Sequence, residues 1–473
     1  MGKVYLVGAG CGDLDLYTLK AINCIENADC IIYDSLIDET ILDRCKKDCE
    51  KIYVGKRAGN HAYEQDTINQ LLVDQALKYN SVVRLKGGDV YVFGRGGEEG
   101  QKLYENHVPF EVVPGISSAI AGLAYAGIPI TQRGIATSFH VYTGTSQKNK
   151  TTELDFSSML DEKGTYVFLM SIGKLQYIVQ GLLDANKDKN TPVAVISKAS
   201  FASQKVLTGT LENIVERFQL DPLPTPGIIV IGKVVNMREY LNFYETKPLF
   251  GKKILVGVVG DDHSLKDELR QYGADVTEVK TGEIEYLYPK LPKVEGYLIF
   301  TSKNGVIGYM EAFLQQYHDL RLLSNATIMA IGKKTNRYLQ QYHITADLMP
   351  SKADSEKINE EYKDLKEKVY LIRGDHKPSV NIHNEEILVY TNKEVTIPNE
   401  ENHYDYAFFT NASSVSRFKA QNNSTIDTFI SIGKHTTKQI KTSYPISNII
   451  EMSVPDKNQM VKTLLDSMKN RNM

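Results

Sequence analysis

Four short apolar segments in the first ninety residues, VYLVGA, CIIYD, KIYVG and VVRLKGGD, each carry Gly or Asp at or next to their end, and each precedes a helix-length mixture of polar and apolar residues. A buried strand that closes on a small turn residue and hands over to a helix is the repeating unit of a parallel sheet, because a parallel return needs a crossover of a dozen or more residues. The chain therefore opens as an α/β protein. After Pro114 the rhythm changes to SFHVYTG, TYVFLMS, PVAVISKAS, QKVLTGTL and PGIIVIGKVV, strands with less helix between them. That predicts a mixed sheet and a second lobe, closed by a helix in VVNMREYLNFYE.

At 473 residues the chain is long enough for about three domains. ETKPLFGKK (Glu245–Lys253) carries Pro248 and Gly251 between the closing helix and a new strand, ILVGVV, and marks a boundary between two independent units. Beyond it lies an internal repeat. FTSKNGV followed by AIGKKT, and FTNASSV followed by SIGKHT, each read as a strand ending in Thr, a helix, and a strand ending in Ile-Gly-Lys. Two matched α/β halves are the simplest account.

Composition excludes several classes. Hydrophobic residues make up 42% and charged residues 24%, and the formal net charge is −3, so disorder and a general nucleic-acid binder are both disfavoured. No apolar run approaches the length of a membrane span. The five cysteines (Cys11, Cys24, Cys30, Cys45, Cys49) lie in the first 50 residues and read as free thiols in a reducing, cytoplasmic setting. With Met1-Gly2-Lys3 running straight into a strand, no signal peptide is expected. Cys45 and Cys49 are expected on a solvated helix face rather than at a metal, and no metal site is anticipated.

Several motifs carry chemistry. VGAGCGD (Val7–Asp13) suggests a dinucleotide turn, but Gly8, Gly10 and Gly12 do not follow G-x-G-x-x-G, which weakens the alternative of a nucleotide-dependent oxidoreductase. In RLKGGDVYVFGRGGEEG, paired glycines let a flat ligand lie on the backbone, and an Arg95 loop flanked by glycines is expected to move and close on an anion. In PGISSAIAGLAYAGIPITQRG, Ser117 and Ser118 sit at a helix start, where amides and hydroxyls converge. Asp34 and Lys56 lie at strand ends, on the edge of a parallel sheet where ligands bind, and could exchange protons with a substrate. Lys56-Arg57, Arg84-Lys86, Arg95 and Arg133 gather cations around these motifs, which suits a polycarboxylate ligand.

At these residues the first half, 1–245, resembles the uroporphyrinogen-III C-methyltransferases, through VGAGCGDLDLYTLKA, YDSLI, YVGKRAG, VVRLKGGDVYVFGRGGEE, VVPGISSAIAGLAYAGIPIT and TPGIIVIGKVV. The resemblance implies a two-lobed tetrapyrrole methyltransferase fold (lobes about 1–113 and 114–245), usually a homodimer, with S-adenosylmethionine in the cleft. It also implies Asp34 as proton acceptor and Lys56 as proton donor. Cofactor contacts would come from Cys11 (where the family usually has proline), Gly87, Gly88, Asp89, Val92, Ser117, Ser118, Met170, Ala199 and Gly227. Arg57, Arg95 and Arg133 would face the anionic substrate. After a linker at 246–252, residues 253–473 resemble uroporphyrinogen-III synthase through KKILV, YLIFTSKNGV, IMAIGKKT, YAFFTNASSV and FISIGKHT. This implies two α/β subdomains (about 253–283 with 398–473, and 284–397).

The implied chemistry is closure of hydroxymethylbilane to uroporphyrinogen III, with Thr301, Ser302, Thr410, Ser413 and Ser414 holding the substrate, then C-methylation to precorrin-2, on the way to cobalamin or sirohaem. VGVVGDDHS replaces the synthase family's usual arginine-bearing segment. It keeps open a second reading, in which the C-terminal half binds tetrapyrrole without catalysing ring closure.

Overall fold

The computed structural model describes residues 1–55, 64–144, 153–293, 295–375 and 379–471, and the chain divides into two compact units, 1–252 with 272–275, and 253–271 with 276–473. Lys56 and Arg57 lie outside the described residues.

The first unit holds two five-stranded sheets among its described residues. Strands β1 (Lys3–Gly8), β2 (Cys30–Tyr33), β3 (Glu50–Tyr53), β4 (Ser81–Lys86) and β5 (Phe110–Val113) lie in the order β3-β2-β4-β1-β5, all parallel. Alternate residues point to opposite faces. Ile31, Tyr33, Val83 and Leu85 pack with the helix Leu19–Glu26 on one side. Cys30, Ile32 and Val82 pack with the helices Gln65–Lys78 and Gly96–Glu105 on the other. Both faces are covered, which is why these strands read as unbroken apolar runs rather than alternating ones.

Strands β6 (Ser138–Thr143), β7 (Gly164–Leu169), β8 (Pro192–Ser197), β9 (Lys205–Thr210) and β10 (Gly227–Ile231) form the second sheet in the order β6-β7-β10-β8-β9. Only the β6–β7 pair is parallel, so this sheet is mixed, as the thinner helical spacing implies. The helix Ser118–Tyr125 packs Ala119 and Leu123 under it against Val167, Ile196 and Ile228. Gly122 is needed there, since a Cβ would fall 2.5 Å from Ile228 Cδ1. The closing helix over 234–245 is reduced to a 3-10 turn (Lys233–Met237) and one four-residue helix (Arg238–Leu241). Val234 and Val235 are drawn into the core of the second lobe, and β-branched residues favour that packing over a continued helix.

Cys45 and Cys49 also depart from expectation. Cys45 ends a 3-10 helix (Glu39–Arg44), and Cys49 is buried just before β3, so the pair is not on a helix face. Ile41 and Leu42 sink into the first core and stop the segment from forming a solvated amphipathic helix.

In the second unit, β11 (Lys253–Val259), β12 (Asp275–Tyr286), β13 (Gly296–Phe300), β14 (Ala326–Ala330), β15 (Val369–Gly374), β16 (Glu385–Glu394), β17 (His403–Phe409), β18 (Thr425–Ser431) and β19 (Asn448–Glu451) form one described sheet, ordered β14-β13-β15-β16-β12-β11-β17-β18-β19. The outer strands are parallel on each side, and the long β12 and β16 run antiparallel in the middle. The two repeats occupy equivalent places. β13 leads through a helix (Lys303–Tyr317) to its parallel neighbour β14, and β17 leads through a helix (Ala412–Gln421) to β18.

Candidate active sites

Every strand of the first sheet delivers its carboxyl end to one edge, the place where open α/β sheets bind ligands. Asp34 follows β2 there. Its Oδ1 accepts the Leu36 amide at 3.1 Å and its Oδ2 accepts Arg84 Nη2 at 3.3 Å, with about a quarter of the side chain exposed.

Next to it, the Gly87-Gly88-Asp89 turn is shaped by close backbone packing. A Cβ on Gly87 would sit 2.7 Å from Leu36 Cβ. Gly88 has φ +70°, and the nearest atom to an added Cβ is the Ser118 amide nitrogen at 3.9 Å, so the space over it is open. Asp89 works as a tie. One carboxylate oxygen accepts the amides of Tyr91 and Val92 at 2.8 and 3.2 Å, and the other accepts the Gly115 amide at 3.1 Å. Ser117 caps the helix that begins at Ser118, its Oγ accepting the Ala119 amide, while Val92 stays partly exposed.

The second sheet contributes an edge of its own. Gly227 pairs with Ser197, and Ile228 pairs with Leu169, which sets Met170, Gly227 and Ala199 along neighbouring strand ends. Met170 is more than half exposed and has φ +54°, an unusual conformation for a side chain-bearing residue and a common mark of functional positions. The glycine turn after β1 joins the two edges. Cys11 Sγ donates to the Ala199 carbonyl at 3.6 Å, Ser200 Oγ hydrogen-bonds the Cys11 carbonyl and accepts the Asp13 amide, and the Tyr125 hydroxyl donates to Asp13 at 2.8 Å. Burial pushes the Cys11 thiol up to about 11, so it stays protonated and acts as a packed donor.

Some expectations are corrected. Arg84 and Lys86 are buried and engage Glu99, at 3.1 and 2.8 Å, so they do not line the cleft as free cations. The cause is strand periodicity. Positions 84 and 86 share the face covered by the helix Gly96–Glu105, and the first turn of that helix supplies the acid. Arg95 pairs with Glu98 through two hydrogen bonds, at 2.9 and 2.7 Å, and stays about half exposed. The glycines around it serve packing, since added Cβ atoms on Gly94 and Gly96 would strike Val90 at 2.6 and 2.3 Å. Arg133 is exposed in a tight turn closed by the Gln132–Ala136 bridge.

In the second unit a cavity of about 700 Å³ lies where β17 and β18 hand over to their helices. Thr410, Asn411 and Ser413 line it, with Arg417, Lys434 and His435 supplying positive or ionisable groups. Asn411 Oδ1 caps the first helix by accepting the Ser414 amide at 2.8 Å, while Gly433 leaves the second helix start without a side-chain cap. Arg417 is committed to Asn392 Oδ1 at 2.8 Å and the Thr281 carbonyl at 3.2 Å. Ser414 is fully buried with its Oγ 2.7 Å from Thr281 Oγ1, so its hydroxyl faces the core and not a substrate. Thr301 and Ser302 hold the equivalent place in the other repeat, where Ser302 caps its helix through the Gly305 amide and meets the Tyr390 hydroxyl at 3.2 Å. Sequence reasoning passed over Asn411, Lys434 and His435, although the repeat motifs contain all three.

Residues 3–215 match the family model of Tetrapyrrole (Corrin/Porphyrin) Methylases. A uroporphyrinogen-III C-methyltransferase of Methanocaldococcus jannaschii is 48% identical over 238 residues, which cover 50% of this chain and 98% of that protein. The chain belongs to the tetrapyrrole methylases. Behind the methylase, residues 263–462 match the model of Uroporphyrinogen-III synthase HemD. A porphyrin biosynthesis protein HemD of Ruminiclostridium josui, 36% identical over 358 residues, spans both parts and covers 74% of this chain and 71% of its own. A siroheme synthase of Psychrobacter cryohalolentis is 45% identical over 247 residues, 52% of this chain, and the chain spans about half of that relative, 47%. The open cradle over Gly88, bordered by the Ser118 amide and filled by any Cβ, fits a ligand laid against the backbone. No helix among the described residues is long and apolar enough to cross a membrane.

Proposed function

We propose that the chain performs two successive steps on one tetrapyrrole: its C-terminal half closes hydroxymethylbilane to uroporphyrinogen III, and its N-terminal half methylates that ring on carbon to give precorrin-2. The observation that carries the methylation reading is Asp34, a partly exposed carboxylate held by Arg84 on the same sheet edge as the open Gly88 turn. Bound S-adenosylmethionine supplies the methyl group on a sulfonium. Gly87, Gly88, Val92, Ser117, Ser118, Met170, Ala199 and Gly227 are proposed to hold it, with Cys11 and Asp89 fixing the loops around it. Methylating a ring carbon leaves a cation on the macrocycle that must lose a proton, and Asp34 is its proposed acceptor, with Lys56 as the proposed proton donor. Arg57, Arg95 and Arg133 are the proposed contacts for substrate carboxylates.

The synthase reaction loses water and needs its chain held in a curled geometry, a task of positioning more than of acid chemistry. Thr410, Ser413, Thr301 and Ser302 are the proposed anchors. The second reading, binding without ring closure, keeps one observation in its favour. Asp261 and Asp262, within the VGVVGDDHS segment that stands in place of the family's arginine-bearing one, are ion-paired to Lys280 and Lys457.

Methylase and synthase boundaries at 1–245 and 253–473 complete the proposal, together with a homodimer built through the methylase half and a cytoplasmic location. The match to a siroheme synthase supports sirohaem as one destination, with cobalamin as the other. Product analysis of the full chain given hydroxymethylbilane, with and without methyl-labelled S-adenosylmethionine, tests both halves. The type III ring without cofactor and label in the macrocycle with it are expected. Only the type I ring, together with unlabelled product from supplied uroporphyrinogen III, would overturn the reading.

A further inference from the structure

Beneath Asp34 lies a buried cluster that the methylation chemistry does not by itself require. Arg84 is almost fully buried and has its guanidinium fixed on every side. Nε donates to Glu99 Oε1 at 3.1 Å, Nη1 to the Leu85 carbonyl at 2.9 Å and the Ile32 carbonyl at 3.4 Å, and Nη2 to Asp34. Glu99 has no exposed surface. Its Oε1 also takes Lys86 Nζ at 2.8 Å and Gln65 Nε2 at 3.3 Å, while its Oε2 has no hydrogen-bond partner among the described residues. Two acids and two bases thus share one desolvated site, and only Asp34 reaches the cleft.

We infer that Glu99 and Lys86 are positioning residues that act through Arg84 to hold Asp34 oriented for proton transfer, two acids and two bases being joined in one cluster. The inference rests on Asp34 being the base of the methylation step. A guanidinium anchored to two carbonyls and a buried carboxylate cannot follow Asp34 if it rotates, so one carboxylate oxygen is pinned. Among the described residues, Lys86 on β4 and Tyr17 feel the Asp34 carboxylate, and Asp38 acts on Tyr17 as well.

The test uses the full chain, uroporphyrinogen III and S-adenosylmethionine, and reads the acid limb of the kcat/KM profile together with cofactor affinity. Glu99→Gln leaves two cations facing Asp34, so the acid limb should move to lower pH by about one unit, with kcat reduced roughly tenfold and cofactor Kd nearly unchanged. Lys86→Met removes a cation and should move the limb the opposite way. The double variant restores neutrality and should return the limb to its original position, a pattern that simple structural damage would not produce. If Glu99→Gln does not fold, Lys86→Met alone decides by the presence or absence of its upward shift. A limb that stays in place in both single variants, while Asp34→Asn abolishes turnover, overturns the inference and leaves Asp34 as base. An active Asp34→Asn removes the base assignment itself, and this inference falls with it.

Discussion

Gly10 and Gly88 meet at the carboxyl edge of the first sheet and exchange two backbone hydrogen bonds, Gly10 N–H to the Gly88 carbonyl at 3.1 Å and Gly88 N–H to the Gly10 carbonyl at 2.7 Å. Both sit in the left-handed region, at φ +71° and +70°. This bridge ties the turn that reaches the second lobe through Cys11 to the turn that leaves an open cradle.

The two neighbouring turns should respond differently to one added methyl group. Gly88→Ala forces a left-handed alanine, about 1–2 kcal/mol, but has room for its Cβ, which then intrudes on the cradle. Gly12→Ala carries a similar backbone cost at φ +73° and also drives its Cβ to 2.5 Å from Ser200 Oγ and 2.8 Å from the Phe201 ring. Thermal melts and calorimetric titration of S-adenosylmethionine should therefore separate them. Gly88→Ala should lose roughly tenfold or more in affinity with a modest fall in Tm, and Gly12→Ala should show the larger fall in Tm. Equal affinity losses would contradict the cradle.

The capping residues of the repeat make a second prediction. Ser302 and Asn411 hold equivalent extended conformations and cap their helices through the Gly305 and Ser414 amides, at 3.0 and 2.8 Å. Ser302→Ala and Asn411→Ala should each cost about 1 kcal/mol in denaturant unfolding of the full chain. A loss at one cap and none at the other would mean that the helices are not equivalent.

What the sequence revealed and what it concealed follow from the same physics. Strands ending in Gly or Asp were visible because turn chemistry and burial on both faces leave a local mark, and the repeat was visible because matched halves reuse it. Glu99 was printed in the GRGGEEG motif yet went unremarked. Two cations spaced by two on a buried strand call for a buried acid, but the partner is fixed by helix packing, which no local pattern records. The same gap misassigned Cys45 and Cys49 to a helix face. Ser414 looked like its neighbour Ser413 in sequence, and only the turn of the helix separates the buried hydroxyl from the exposed one.

Lys434 borders the synthase cavity at the start of an uncapped helix and is exposed. A substrate bearing many carboxylates should gain a modest, screened attraction from it. Lys434→Ala should raise KM for hydroxymethylbilane several-fold, about 1 kcal/mol at most, with kcat little changed. The difference from the unsubstituted chain should shrink as salt is added, because exposed charges are screened. A kcat defect that persists at high salt would give Lys434 a role in the chemistry rather than in binding.

Cys30, fully buried at the head of β2, links stability to alkaline pH. Burial pushes its thiol from the ordinary 9.0 up to about 12, with the Glu50 carboxylate adding to the effect. The unfolded chain therefore releases this proton first. The stabilisation is complete below about pH 9 and is lost as pH climbs towards 12. Cys30→Val keeps an apolar side chain between Val82 and Glu50, its cross-strand partners, and removes the proton. Its urea midpoint should lie close to that of the unsubstituted chain at neutral pH and fall less steeply above about pH 9. The decline would not vanish, since Cys11 and Cys45 are pushed up to about 11 by burial as well. If the gap between the two midpoints is the same at about pH 7 and about pH 10.5, the proton on Cys30 is not linked to folding.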